Sequence, residues 1–245
     1  MDDEPESQIT PDRGATELSR PESFLGQVAR AFAFPFRGRG LWLILGWAIF
    51  LLVVMIVSTF VSLLGLILQG LVLAIFCAYS FRIIGESAGG ASDPPDWPDM
   101  NEFVGSLLRF LATVGACLGP ALVINIYLTS HETPLAALFW VVLVMGMAFL
   151  PMCLLSVALH DSLAGLNPLI IVPAITRVLP AYLVILVVFY AAVALDWYLS
   201  QIVAGIVAIL GPFIAGGMGL YFLMLEMHLL GVLYRTHSAQ LGWFE

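Results

Sequence analysis

One apolar run limits the fold of this chain more than any other feature. Residues 41–84 are almost continuously apolar, with only a few polar or small residues among them. As one helix the run would be about 66 Å long, whereas the hydrocarbon core of a bilayer is ~30 Å thick. The run must therefore fold back on itself, and the cluster of small and polar residues at 62–65 is the expected turn.

The rest of the chain repeats this pattern of paired apolar runs. The chain is 61% hydrophobic and 11% charged, whereas soluble domains have about 45–50% apolar and ~25% charged residues. The last two helices are expected to be joined by an interfacial stretch, but a turn at 205–212 would instead place Asp196 inside a helix. The prediction is an all-α integral membrane bundle of six transmembrane helices arranged as three hairpins. The predicted helices are 41–61, 66–84, 107–128, 135–159, 178–197 and 211–233.

The region before the first span divides into two parts. Residues 1–23 are rich in acids, Pro, Ser and Thr, so they bury too little apolar surface to offset the entropy lost on ordering. We predict a disordered acidic cytoplasmic tail there, followed by a single transmembrane helical domain over residues 24–245. This domain is expected to open with a short interfacial helix that is broken near Pro35.

The basic residues predict the orientation of the bundle. All nine are Arg and none is Lys, and in the six-helix arrangement every one falls on the same side as the two termini. Because basic residues collect on the cytoplasmic side, both termini are predicted to be cytoplasmic. Polybasic patches that bind lipid or nucleic acid normally cluster Lys and Arg. The composition therefore argues against such a patch, and no nucleic-acid partner is expected.

Two motifs carry a resemblance to a known family. The sequence DPPDWPD at 93–99, with YSFRIIG at 79–85, resembles a bacterial family of multi-pass membrane proteins, domain-of-unknown-function family 4013. The ending LGVLYRTHSAQLGWF at 230–244 is similar to endings in such chains. The resemblance covers residues 24–244 and implies a protein of the bacterial cytoplasmic (inner) membrane. It implies no catalytic residues, because the family offers none.

Polar side chains within the predicted spans are candidates for function, because they are costly in hydrocarbon. Asn125, Glu226 and His228 are the candidates for a transport path, and structural hydrogen bonding or interfacial exposure is the alternative for them. Glu226 and His228 are two residues apart and should point to different helix faces, which weakens a metal site or an acid–base pair. Asp196, next to Trp197, is interpreted as an interfacial acid.

The loop at 93–102 is the candidate site for a protein partner, with Asp96 and Trp97 at its centre. Acidic residues recur there at three-residue intervals, and prolines stiffen the loop into an extended shape. The alternative is that Trp97 packs on the membrane surface while the acids remain solvated. The four acids are Asp93, Asp96, Asp99 and Glu102.

Several catalytic signatures are missing from the sequence. It contains no HExxH, P-loop, paired CxxC or GxGxxG motif, and no catalytic, cofactor-binding or metal-ligating residue is predicted. We expect a non-enzymatic accessory or organising component of the bilayer, with a small transporter or channel as the alternative. Gly115 and Gly119 permit close helix approach, either within the bundle or in a homo-oligomer.

Overall fold

A computed structural model of the chain describes residues 23–131, 136–206 and 210–244. Within these ranges every regular element is helical, and six helices are long and apolar enough to cross a membrane. The predicted all-α membrane bundle is therefore confirmed, and the protein is a multi-pass membrane protein. The six helices are α2 (Gly40–Phe60), α3 (Ser62–Ala88), α4 (Met100–His131), α5 (Ala136–His160), α7 (Leu179–Ile206) and α8 (Gly211–Leu241).

Shorter helical elements precede the first and third hairpins. Helix α1 (Phe24–Ala31) begins at Ser23, whose Oγ accepts a hydrogen bond from the Gly26 amide at 3.2 Å and so caps the helix. A 3₁₀ turn at Phe34–Phe36 contains Pro35 and connects α1 to α2. The predicted break near Pro35 is confirmed. A second 3₁₀ turn (Leu163–Leu166) and helix α6 (Pro168–Arg177) precede α7.

The turn of the first hairpin is tighter than predicted. Helix α2 ends at Phe60, Val61 alone is extended, and α3 begins at Ser62. The predicted turn at 62–65 is therefore wrong, because these residues form the first turn of α3. Gly65 permits the sharp return, since a Cβ atom there would lie 2.8 Å from the Cα atom of Ser58.

Several helices continue beyond the predicted ends. Helix α7 runs through Trp197 to Ile206, so the predicted helix end at 197 and the interfacial stretch after it are wrong. Helix α4 already begins at Met100, and α8 continues to Leu241. An apolar window marks only the hydrocarbon part of a span, whereas a helix satisfies its own backbone hydrogen bonds and can continue into polar surroundings.

Helix α8 is the centre of the bundle. It packs against α2, α3 and α7, and 61% of its most apolar window is buried. Helix α4 is peripheral, with 11% of the corresponding window buried, and it packs on α5 and α3. Gly231 brings α8 into direct contact with α3, because a Cβ atom there would lie 2.9 Å from the Ile84 carbonyl oxygen.

One end of the bundle carries all the arginines that the structure describes, and we call it the arginine face. Contacts join the helix ends here. Arg109 of α4 pairs with Asp161, which follows α5, and Arg177 at the end of α6 donates to the Leu241 carbonyl oxygen at the end of α8, at 3.1 Å. The arginines are Arg30, Arg37, Arg39, Arg82, Arg109, Arg177 and Arg235.

Candidate functional site

The loop between α3 and α4 is packed onto the arginine face through Trp97. Its ring lies against those of Trp47 in α2 and Tyr79 in α3, with centroid distances of 5.5 and 5.2 Å. The Tyr79 hydroxyl donates a hydrogen bond to the Pro95 carbonyl oxygen at 3.1 Å. Trp47 and Tyr79 are buried, so they give the loop a fixed apolar base.

Two arginines hold the same loop from the sides. The Arg39 guanidinium lies 3.3 Å from the Asp96 carboxylate, and Arg82 donates to the Trp97 carbonyl oxygen at 3.3 Å. The Arg39–Asp96 pair is well exposed, so it adds little stability by itself. Together with the ring contacts, however, these bonds define the path of the loop.

The other acids of the loop remain open to solvent. Asp93, Asp99 and Glu102 are all exposed, and within the described ranges none of the three forms an ion pair. The structure thus separates the predicted partner-binding residues into two groups. Asp96 and Trp97 help to hold the loop, whereas the remaining acids face outwards.

His228 is placed where α8, α3 and the segment before α2 meet. Its Nδ1 atom and the Ser87 hydroxyl share a hydrogen bond of 2.8 Å, and its ring stacks on Phe34 with a centroid distance of 3.7 Å. Ser87 and Phe34 are buried. The Nε2 atom of His228 has no hydrogen-bond partner among the residues that the structure describes.

A cavity of about 260 Å³ lies beside His228, and we call it the arginine cavity. Three arginines line it from separate elements: Arg30 from α1, Arg37 from the segment before α2 and Arg235 from α8. Gln27 and Ser92 also line it. The sequence interpretation missed this site, because the three arginines are far apart in the chain and none follows a binding motif.

Glu226 is buried in α8. Asp196 lies on the neighbouring helix α7, and its charge acts on Glu226 electrostatically. The Oδ1 atom of Asp196 is fully buried and has no hydrogen-bond partner in the described part of the chain. Asp196 was predicted to be an interfacial acid.

Asn125 lies apart from these groups. It is exposed on α4, and its carbonyl oxygen accepts a hydrogen bond from the Thr129 hydroxyl at 2.8 Å. Gly115 and Gly119 are also on α4, and a Cβ atom at either would meet nothing within 4 Å. The described residues contain no group of three or more His, Cys, Asp or Glu side chains that could hold a metal ion.

Comparisons with known proteins give the chain no relative. It matches no family, no curated protein and no solved structure. The resemblance to family 4013 remains a prediction, and the function must be argued from the geometry of the arginine face and the bundle interior.

Proposed function

We propose that this protein is a non-enzymatic accessory component of the bacterial cytoplasmic membrane, and that its acidic loop at 93–102 docks a basic segment of a protein partner. The observation that carries this proposal is that the loop is held in place while Asp93 and Asp99 stay exposed and unpaired within the described ranges. A preorganised loop loses little conformational entropy on binding. Its free carboxylates attract Arg and Lys side chains of a partner and fix their register.

The position of the loop suits an organising role. It connects α3 of the first hairpin with α4 of the second, and Arg39 ties it to the start of α2. A partner that binds the loop would therefore sit over both hairpins. The arrangement of the arginines favours a cytoplasmic location for this face, so the partner would be a cytoplasmic protein or the cytoplasmic tail of a membrane protein.

The test removes two of the negative charges of the loop. The double variant Asp93→Asn/Asp99→Asn removes two exposed carboxylates without touching the residues that hold the loop. Asp161→Asn is the matched control, because Asp161 is also an exposed acid of the arginine face but lies after α5. Each protein is extracted in lipid-preserving discs, and co-purifying proteins are quantified by mass spectrometry.

We expect a stoichiometric partner with wild type and with the control, and roughly tenfold less of it with the double variant. Two exposed ion pairs at about 0.2–1 kcal/mol each account for a loss of this order. Chemical cross-links from that partner should map to the loop. Equal recovery with all three proteins, or cross-links confined to another surface, would exclude docking at the loop.

A small transporter or channel is the second candidate, and two acids on neighbouring helices of the bundle, Glu226 and Asp196, favour it. Ionisable groups inside a membrane bundle often mark the path of a proton or cation. Glu226→Gln should then reduce proton or cation flux into proteoliposomes at least tenfold. The sequence placed Asn125 on the path as well, but its exposed position on α4 makes Asn125→Leu the control with unchanged flux. Flux no higher than in empty vesicles would count against this candidate.

A further inference from the structure

The arginine cavity concentrates positive charge at one point of the arginine face. Arg30, Arg37 and Arg235 line it, and none of the described residues around it is Asp or Glu. Arg37 and Arg235 form no ion pair with any described residue. All three arginines are exposed residues, so solvent screens their mutual repulsion. An anion placed between them would be attracted by each of them.

A polar side chain with a fixed orientation also lines the cavity. His228 is fixed by its bond to Ser87 and its stacking on Phe34, which leaves Nε2 without a partner in the described part of the chain. Where the Ser87 hydroxyl donates to Nδ1, Nε2 carries the ring hydrogen and can donate it to an anion. The cavity therefore matches a negatively charged ligand with oxygen acceptors.

We propose that the arginine cavity binds a phosphate group, either of a lipid headgroup or of a soluble phosphate ester. Arginine is suited to the phosphate, because its planar guanidinium donates two parallel hydrogen bonds to phosphate oxygens. A water molecule occupies about 30 Å³ in the liquid, so a cavity of about 260 Å³ has room for a headgroup of this kind.

The surroundings of the cavity favour a lipid as the source of this group. Leu25, Phe32 and Phe36 belong to the same segment as Arg30 and Arg37, and all three are large apolar side chains exposed on the surface. Exposed aromatic and aliphatic side chains next to Arg are typical of a segment that lies in the membrane interface. A phospholipid would place its headgroup in the cavity and its acyl chains along these side chains.

Native mass spectrometry of the full chain in detergent tests the proposal. The lipids are phosphatidylglycerol, which is anionic and has headgroup hydroxyls, phosphatidylmethanol, which is anionic without them, and phosphatidylcholine, which has no net charge. All three carry the same acyl chains. We expect wild type to bind phosphatidylglycerol and phosphatidylmethanol at least tenfold more tightly than phosphatidylcholine, because the first two carry a net negative charge.

Two variants assign the effect to the cavity. Arg37→Gln/Arg235→Gln should lower the affinity for phosphatidylglycerol at least tenfold. Arg109→Gln is the control: it removes a charge from the same face, but at a site lined by different residues. Unchanged unfolding temperatures of the variants would confirm that they are folded. Equal phosphatidylglycerol affinity of wild type and the double arginine variant would overturn the proposal.

A separate titration distinguishes a lipid from a soluble source. Glycerol 1-phosphate is added to wild type and to the double arginine variant, and binding is followed by calorimetry. Arginine-dependent binding of phosphatidylglycerol alone identifies a lipid site, and arginine-dependent binding of glycerol 1-phosphate alone identifies a site for a soluble phosphate ester. If neither ligand binds in an arginine-dependent way, the cavity is not a phosphate site.

Discussion

Helices α8 and α4 have similar lengths but occupy very different environments. Helix α8 is buried over most of its apolar window, and α4 over little of it, although α4 is the more apolar of the two. The difference shows that hydropathy reports which segments enter the membrane and not which of them becomes the centre of the bundle. The central position of α8 depends on where small residues such as Gly231 permit close contact.

The same difference separates the polar side chains of the two helices. On α8, His228 bonds to Ser87, and Glu226 is buried. On α4, Asn125 is exposed. A polar group in the interior of a bundle can bond to other protein groups, whereas one on the outside meets hydrocarbon or headgroups. The candidates for function therefore concentrate on the central helix.

The largest expected contrast comes from adding a methyl group to each helix. In Gly231→Ala the new Cβ atom would clash with the Ser87 Cβ atom and lie 2.9 Å from the Ile84 carbonyl oxygen. We expect it to lower the free energy of unfolding by about 1–3 kcal/mol, as overpacking usually does. In Gly115→Ala the added atom meets nothing within 4 Å, and better helix propensity should make the change neutral or stabilising by up to about 1 kcal/mol.

Unfolding of both variants in detergent mixed with increasing dodecyl sulfate measures this contrast. Both substitutions replace Gly with Ala in a spanning helix, so the intrinsic helix propensity changes equally in the two. A loss of stability in Gly115→Ala that depends on protein concentration would instead assign that face of α4 to a homo-oligomer contact. Equal stability of the two variants would contradict the central position of α8.

A second contrast removes one polar group from each helix. His228→Leu leaves the buried Ser87 hydroxyl without its partner, so we expect a loss of about 1–3 kcal/mol in the free energy of unfolding. Asn125→Leu replaces an exposed amide with an apolar side chain and should be neutral or slightly stabilising. The companion variant Ser87→Ala removes both the hydroxyl and its demand for a partner, so in the His228→Leu background it should recover part of the lost stability.

Some of the fold was accessible from the sequence because it follows from one-dimensional patterns. Apolar runs separated by polar turns predicted the six spans, and Pro35 predicted the break before α2. The ends of the helices were harder to predict. The second helix was predicted to end at 84, but α3 continues to Ala88 and carries Ser87 to His228. Ser87 is the central residue of a GxSxG sequence, GESAG at 85–89, that the sequence interpretation missed. This sequence lies within a helix and not at the strand-to-helix turn where the catalytic motif occurs.

The candidate site depended on proximity in space, which sequence patterns do not contain. His228, Asp96 and Trp97 were singled out as unusual residues, but their partners were not foreseen. The absence of Lys predicted that the chain has no basic patch, whereas Arg30, Arg37 and Arg235 line one cavity. They do so because α1 and the turn after it pack on α8, where Phe34 stacks on His228.

The smallest expected effect tests how α4 is attached at the arginine face. Arg109 pairs with Asp161, whose side chain is largely exposed, and exposed pairs contribute about 0.2–1 kcal/mol. A double-mutant cycle with Arg109→Gln and Asp161→Asn should give a coupling energy in this range, and it should fall towards zero at 1 M salt, where the Debye length is about 3 Å. A salt-resistant coupling well above about 1 kcal/mol would show that this pair contributes more to the attachment of α4 than an exposed ion pair does, in addition to the packing of α4 on α5 and α3.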